Sequence, residues 1–97
     1  MVKLRFSVEA ESDLDDLFAF SVERFGLDTA GEYFKALQTS CDRLVDFPEL
    51  GPILESIRPP MRVLSYRSHN IYYRFDGIVV LVIRILHYAM NAAAHLR

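Results

Sequence analysis

One cysteine, Cys41, and two lysines, Lys3 and Lys35, are all that this 97-residue chain holds of two residue types on which many functions depend. A lone thiol forms no disulfide within the chain, which points to a reducing compartment. Few lysines and a formal net charge of −2 leave little cationic surplus. Non-specific nucleic-acid affinity comes mainly from cations that release counterions, so no direct nucleic-acid binding is expected. The longest apolar run, Ile78 to Ile83, falls far short of the roughly 18 residues of a membrane span. Met1-Val2-Lys3-Leu4-Arg5 shows neither an apolar signal region nor a small-residue cleavage site. The four glycines, at 26, 31, 51 and 77, are too scattered for a phosphate loop. There is no internal repeat and no low-complexity segment. A secreted scaffold, a membrane protein and an enzyme with a large substrate domain are all disfavoured. The expectation is one cytoplasmic globular domain spanning residues 1–97, since 52% of residues are apolar and 25% charged.

Charge is distributed unevenly. Residues 1–56 carry twelve acids against five bases, a balance of −7. Residues 57–97 carry six arginines against one acid, Asp76, a balance of +5. The basic half suits an acidic protein partner better than phosphate.

Val2 to Phe6 alternates apolar and basic, as a half-buried strand does. Ser7 can cap a helix, with Glu9 and Glu11 favourable beside its positive end. Ala10, Leu14, Leu17, Phe18, Ser21 and Phe25 then recur at helical spacing, and Gly26 can supply a left-handed stop. Thr29 and Glu32 have capping-box spacing for a second helix, whose apolar face runs from Ala30 to Val45. Pro48 ends it. Residues 47–60 hold all four prolines and read as an irregular connection. The period then changes to two. Strands are expected at Met61–Arg67, Asn70–Phe75 and Ile78–His87, with a helical turn near Ala92–Leu96. The predicted fold class is α+β: an antiparallel sheet, made of the N-terminal strand plus a three-stranded meander, packed on an α-helical hairpin in the order β-α-α-β-β-β. The long last strand, apolar from Ile78 to Ile83, is expected inside the sheet.

Asp76-Gly77 predicts a type I′ turn that pairs Phe75 with Ile78, Tyr73 with Val80, Ile71 with Val82 and His69 with Arg84. That register places His69 and His87 on opposite faces. It also makes both faces of the hairpin largely apolar, while one helical hairpin covers only one face. The second face is then a candidate surface for another chain, rimmed by arginine; the alternative is that the tail folds over it.

The residues also carry a resemblance. Ala10-Glu11-Ser12-Asp13-Leu14-Asp15-Asp16-Leu17 is followed by Phe47-Pro48-Glu49-Leu50-Gly51, Arg62 and His69-Asn70-Ile71-Tyr72-Tyr73-Arg74. Arg84-Ile85-Leu86-His87, Asn91 and His95-Leu96 complete an ordered set. The set resembles the ParE/RelE superfamily of bacterial type II toxins, and its ParE branch in particular. The resemblance implies a sheet on a helical hairpin and a cytoplasmic toxin neutralised by an antitoxin encoded beside it. It further implies DNA gyrase as target; RelE-type relatives instead cut messenger RNA on the ribosome.

Three function classes follow: a non-enzymatic gyrase toxin, a ribosome-dependent endoribonuclease, and a degenerate homologue that only binds its antitoxin. A nuclease of this kind needs a base, an acid and phosphate-stabilising cations, for which Arg67, Arg84, His87 and Tyr88 are the candidates. Asn70 stands where nucleolytic relatives carry arginine, and the acidic helices would repel phosphate, so the gyrase reading is preferred. The expected contacts with an acidic, ParD-like antitoxin are Phe20, Arg62, Arg67, Tyr72, Arg74 and Leu81. The polar, acid-free tail offers His87, Tyr88, His95 and Arg97 to the target. No cofactor or metal is expected: His69, His87, His95 and Cys41 lack zinc-ligand spacing, and the acids from Glu9 to Asp16 spread around a helix as a solvated face.

Overall fold

In a computed structural model of the chain, which describes residues 1–96, strand β1 (Lys3–Phe6) runs directly into helix α1 (Val8–Phe25). Ser7 makes the change of direction. Its backbone is extended, and its hydroxyl accepts the Ala10 amide at 3.0 Å, satisfying one donor of the open first turn. Gly26, at φ +88°, ends α1 and is at once the N-cap of helix α2 (Leu27–Asp46). The Thr29–Glu32 capping box therefore does not form, because α2 has already begun at Leu27. This one-residue link folds the helices against each other, with Phe18 and Phe34 edge-on at 5.4 Å.

The remaining elements are β2 (Ile53–Leu54), β3 (Met61–Tyr66), β4 (His69–Phe75), β5 (Val79–His87) and the short helix α3 (Ala92–His95). The sheet order is β1-β5-β4-β3-β2. The α+β architecture and the interior place of β5 match the sequence reading. The sheet is not wholly antiparallel, however: β1 runs parallel to β5, with Lys3 opposite Val79 and Phe6 opposite Val82. The physical reason is β2, which the sequence reading missed. It pairs antiparallel with β3 through Ile53–Arg62 and Leu54–Met61. That extra reversal inside the proline-rich connection leaves β3, and with it β5, pointing the same way as β1.

The type I′ turn does not form either. Gly77 has φ +97°, but Asp76 is not at positive φ. The Asp76 carboxylate instead accepts the amides of Ile78 and Val79 at 2.9 and 2.8 Å. This side-chain turn makes Gly77-Ile78 the central pair and slides the register by two residues, so Phe75 faces Val80 and Tyr73 faces Val82. A bulge at Ile83 then adds one residue to β5: Tyr72 pairs with Arg84, Ile71 with Ile85 and His69 with His87. The bulge lies just past the end of β1. There Ser7 takes over the free edge of β5, its amide donating to the Val82 carbonyl at 2.9 Å and its hydroxyl to the Ile83 carbonyl at 2.6 Å.

Side chains alternate along a strand, so one extra residue exchanges faces for everything beyond it. Ile85 joins Val80, Val82, Ile71 and Tyr73 against the helices, in a core completed by Ala10, Leu37, Cys41 and Leu44. The other face is not open. Met61, Tyr72, Leu86 and Leu96 bury one another there, with Leu54, Ile57 and Ala92 alongside. The tail and the proline-rich connection supply that cover. Of the two readings left open by the pattern, the folded tail is the one adopted. The buried Tyr73 hydroxyl pins the same connection from the helix side, donating to the Pro48 carbonyl at 2.8 Å and accepting the Gly51 amide at 2.9 Å.

Candidate functional site

A groove of about 700 Å³ opens between the helical hairpin and the far end of β4 and β5. Its helix side is built from α1 and α2. Small residues Ser21 and Ala30 are buried where the helices cross, and larger neighbours project around them: Leu17, Phe20, Phe25 and Tyr33. Phe20 and Phe25 keep 56% and 60% of their surface exposed. Two phenylalanines left in water at one mouth are an unusual apolar surface for a chain this small. Arg24 lies over the Phe20 ring at 5.8 Å.

The sheet side sets Ile85 and Leu86 beside polar residues. His69 and His87 are cross-strand partners after the bulge, with ring centroids 5.5 Å apart at right angles. The Tyr33 hydroxyl and His69 Nδ1 share a 2.9 Å hydrogen bond. Burial, and then the neighbouring His87, lowers the His69 pKa. Burial raises that of the Tyr33 hydroxyl. His87 Nδ1 accepts the Ala89 amide at 3.1 Å, so the neutral ring carries its proton on Nε2. Its other side rests on Tyr88, centroids 4.5 Å apart. Arg67 closes the groove from the β3–β4 turn, at φ +51° with its guanidinium 5.5 Å from the Tyr66 ring centroid.

In the groove wall, Asp13 forms a bidentate ion pair with Arg84 at 2.8 and 2.9 Å and also accepts the Ile85 amide at 2.9 Å. This amide belongs to the edge of β5 that β1 is too short to reach. The Asp13 side chain is 13% accessible and that of Arg84 19%. The pair holds Arg84 firmly protonated, by the hydrogen bond first. Asp13 is thus not part of a solvated acidic face; the neighbouring acids Glu11, Asp15 and Asp16 lie nearer the surface.

The residues expected to meet an antitoxin do not form one surface. Phe20 and Arg67 line the groove. Arg62 is held by the Gly51 carbonyl at 2.8 Å and by Glu49. Tyr72 is 6% exposed and belongs to the core of the second face. Arg74 faces a separate pocket, and Leu81 lies opposite it on β5. Among the residues expected to meet the target, His87 lines the groove and Tyr88 is exposed, while His95 lies at the second pocket with its carbonyl accepting Arg84 at 3.3 Å. Arg97 lies outside the described residues. The four nuclease candidates divide in the same way, Arg84 being paired with Asp13 and lining the second pocket while Arg67 and His87 line the groove.

Sequence reasoning missed Tyr33, His69 and Asp13 as groove residues. Tyr33 read only as apolar helix face. His69 and His87 looked divided because nothing in a run of β-branched residues marks a bulge. The buried Cys41 thiol, its pKa pushed up to about 12 by burial, is unreactive.

Residues 4–92 match the family model of the ParE toxin of type II toxin–antitoxin systems, parDE. The chain is 38% identical over 96 residues to Toxin ParE1 of Caulobacter vibrioides, covering 99% of each. It is 34% identical over 91 residues to Toxin ParE1 of Mycobacterium tuberculosis, covering 93% of each. A solved structure of the chromosomal ParDE system from P. aeruginosa shares the fold, with a TM-score of 0.79 over 90% of this chain and 96% of that one, at 21% identity.

Proposed function

The chain belongs to the ParE toxins of type II toxin–antitoxin systems, and from that premise we propose that it binds and inhibits DNA gyrase in the cytoplasm and is neutralised by an acidic, ParD-like antitoxin. It acts without covalent chemistry of its own. The observation that carries the antitoxin half of this reading is the groove: exposed Phe20 and Phe25 flank an apolar trough that ends at Arg67. An amphipathic segment with apolar anchors and carboxylates beyond them matches both ends. The segment orders itself on binding. The non-enzymatic half is supported by Arg84, whose guanidinium is already committed to Asp13 and so is not free to stabilise a phosphate.

The test is a supercoiling assay with purified gyrase. The chain should inhibit supercoiling, and its co-encoded antitoxin should restore it. Phe20→Glu should weaken antitoxin binding by about tenfold or more at an unchanged melting temperature, since the residue is exposed. Unaffected gyrase, together with cleavage of ribosome-bound messenger RNA that disappears in His87→Ala, would replace this reading with the nuclease one.

A further inference from the structure

The groove between the hairpin and the sheet has a charged group on each side of its apolar trough. Asp16 joins the lining from α1, and Arg67 from the turn between β3 and β4. The sheet order separates them. Asp16 lies one turn past Asp13, whose carboxylate accepts the Ile85 amide, so this part of α1 sits over β5. Arg67 directly follows Tyr66, the last residue of β3, and β4 lies between β3 and β5. The cross-strand pair His69 and His87 therefore stands between the two charges.

Neither charge is neutralised inside the chain. The other carboxylate of the lining, Asp13, is answered by Arg84. Asp16 and Arg67 form no ion pair among the described residues, and both are exposed. Arg67 is nevertheless held in a way that a merely solvated charge does not need. Its φ of +51° lies in the left-handed region, which glycine enters freely and a long side chain enters at a cost. Its guanidinium lies over the Tyr66 ring. That ring packs on Tyr33 at 5.8 Å, and Tyr33 is bonded in turn to His69. A guanidinium resting on an aromatic face keeps its N–H donors, which lie in its own plane, free for an acceptor. Backbone strain of this kind clusters at ligand-binding and switch positions.

We propose that Asp16 and Arg67 set the direction in which the antitoxin segment lies in the groove. This rests on the antitoxin reading above and adds a polarity to it. A carboxylate of the segment meets Arg67, a lysine or arginine of the segment meets Asp16, and apolar side chains fill the trough beside Leu17, Phe20 and Tyr33. A segment laid in reverse sets acid against Asp16 and base against Arg67. The apolar contacts have no direction and would accept either arrangement; like charges at both ends reject the reversed one. Exposed charges add little affinity by themselves, and their effect here is to exclude the wrong orientation.

The test uses the full chain and the antitoxin encoded beside it, with affinity and melting temperature measured for each variant. Arg67→Glu and Asp16→Lys should each weaken binding by about tenfold at low ionic strength, and by less at high. Both positions are exposed, so the melting temperature should not fall. Arg67→Gly removes the charge and relieves the backbone. Its affinity should drop by about threefold while its melting temperature holds or rises, where a purely structural arginine would lose stability. Direction is read from compensation. Each acid of the antitoxin segment is changed to lysine against Arg67→Glu, and each base to glutamate against Asp16→Lys. One change of each kind should restore affinity, the two at opposite ends of the segment. No restoration, or restoration from one and the same end, would overturn the polarity. So would full affinity in Arg67→Glu and Asp16→Lys while Phe20→Glu binds poorly, a result that leaves the groove reading standing. An antitoxin that binds Phe20→Glu as tightly as the parent chain overturns the groove reading, and this proposal falls with it.

Discussion

The two faces of the sheet are equally apolar in sequence, yet they are covered by unequal means. One lies under two long helices, of 18 and 20 residues. The other lies under a four-residue helix, Leu96 and a stretch of proline-rich chain. Nine residues are buried in the first cluster and four in the second, among the described residues. The helix-covered face carries the fold and leaves a groove where the hairpin and the sheet diverge. The tail-covered face carries little apolar burial and gathers arginines. An apolar pattern on both faces of a hairpin therefore does not identify a partner surface; what matters is whether any segment elsewhere in the chain is long enough to lie on it.

If that contrast is right, equal truncations should have unequal costs. Leu37→Ala, at a fully buried site between α2 and the sheet, should destabilise by about 3–4 kcal/mol. Leu96→Ala should cost about 1–2 kcal/mol, because a terminal segment collapses around the lost volume more readily than packed helices do. Chemical denaturation measures both. Equal losses would break the comparison and make the tail a full partner in the core. The same result would change how tail deletions are read, since removing everything after Tyr88 strips Leu96 from its cluster as well as any target contact.

Next comes the joint between the two faces. Asp13→Ala removes both bonds to Arg84 and the acceptor for the Ile85 amide. It leaves a largely buried guanidinium unpaired, for a loss of about 3 kcal/mol. Hydrogen exchange at Ile85 should accelerate selectively. A variant as stable as the parent would show that the carboxylate is dispensable at this edge.

The smallest effect is that of pH on the groove. The folded-state pKa of His69 lies below its ordinary value, so the folded chain binds fewer protons than the unfolded one as pH falls past about 6.5. This contribution to stability is complete above that pH and declines below it, levelling off beneath the folded pKa. His69→Gln should flatten the dependence of the melting temperature in that window, read against the parent chain. Parallel curves would exclude His69 as its source.

Local structure was legible in the residues wherever one element decides its own fate. The Ser7 cap, the Gly26 stop, both helical stripes and the three long strands follow from spacing and from local side-chain chemistry. The groove was legible in part: pattern and charge point to Phe20, Arg67 and His87, which the fold brings to one groove, while Arg74 and His95 line a separate pocket. Tyr72 was placed on a surface and is core. The error came from one turn and one bulge. Asp76 accepts two amides where a type I′ turn would have left them to the ladder, and Ile83 inserts where no glycine or proline announces it.

The sequence by itself determined the α+β class, the order of helices and long strands, the interior position of β5 and the unequal charge of the two halves. These rest on periodicities of two and 3.6 residues and on caps that act within one turn. Tertiary structure alone decided the parallel pairing of β1, the place of the bulge at Ile83, the meeting of His69 with His87 and the closing of the second face. Each depends on partners far apart in the chain. Ser7 holds the bulge at Ile83 from 76 positions away, and Asp13 binds Arg84 from 71. No local pattern encodes which distant hydroxyl or carboxylate will arrive at an open strand edge; that choice is made when buried polar groups on the assembled sheet must find acceptors and donors.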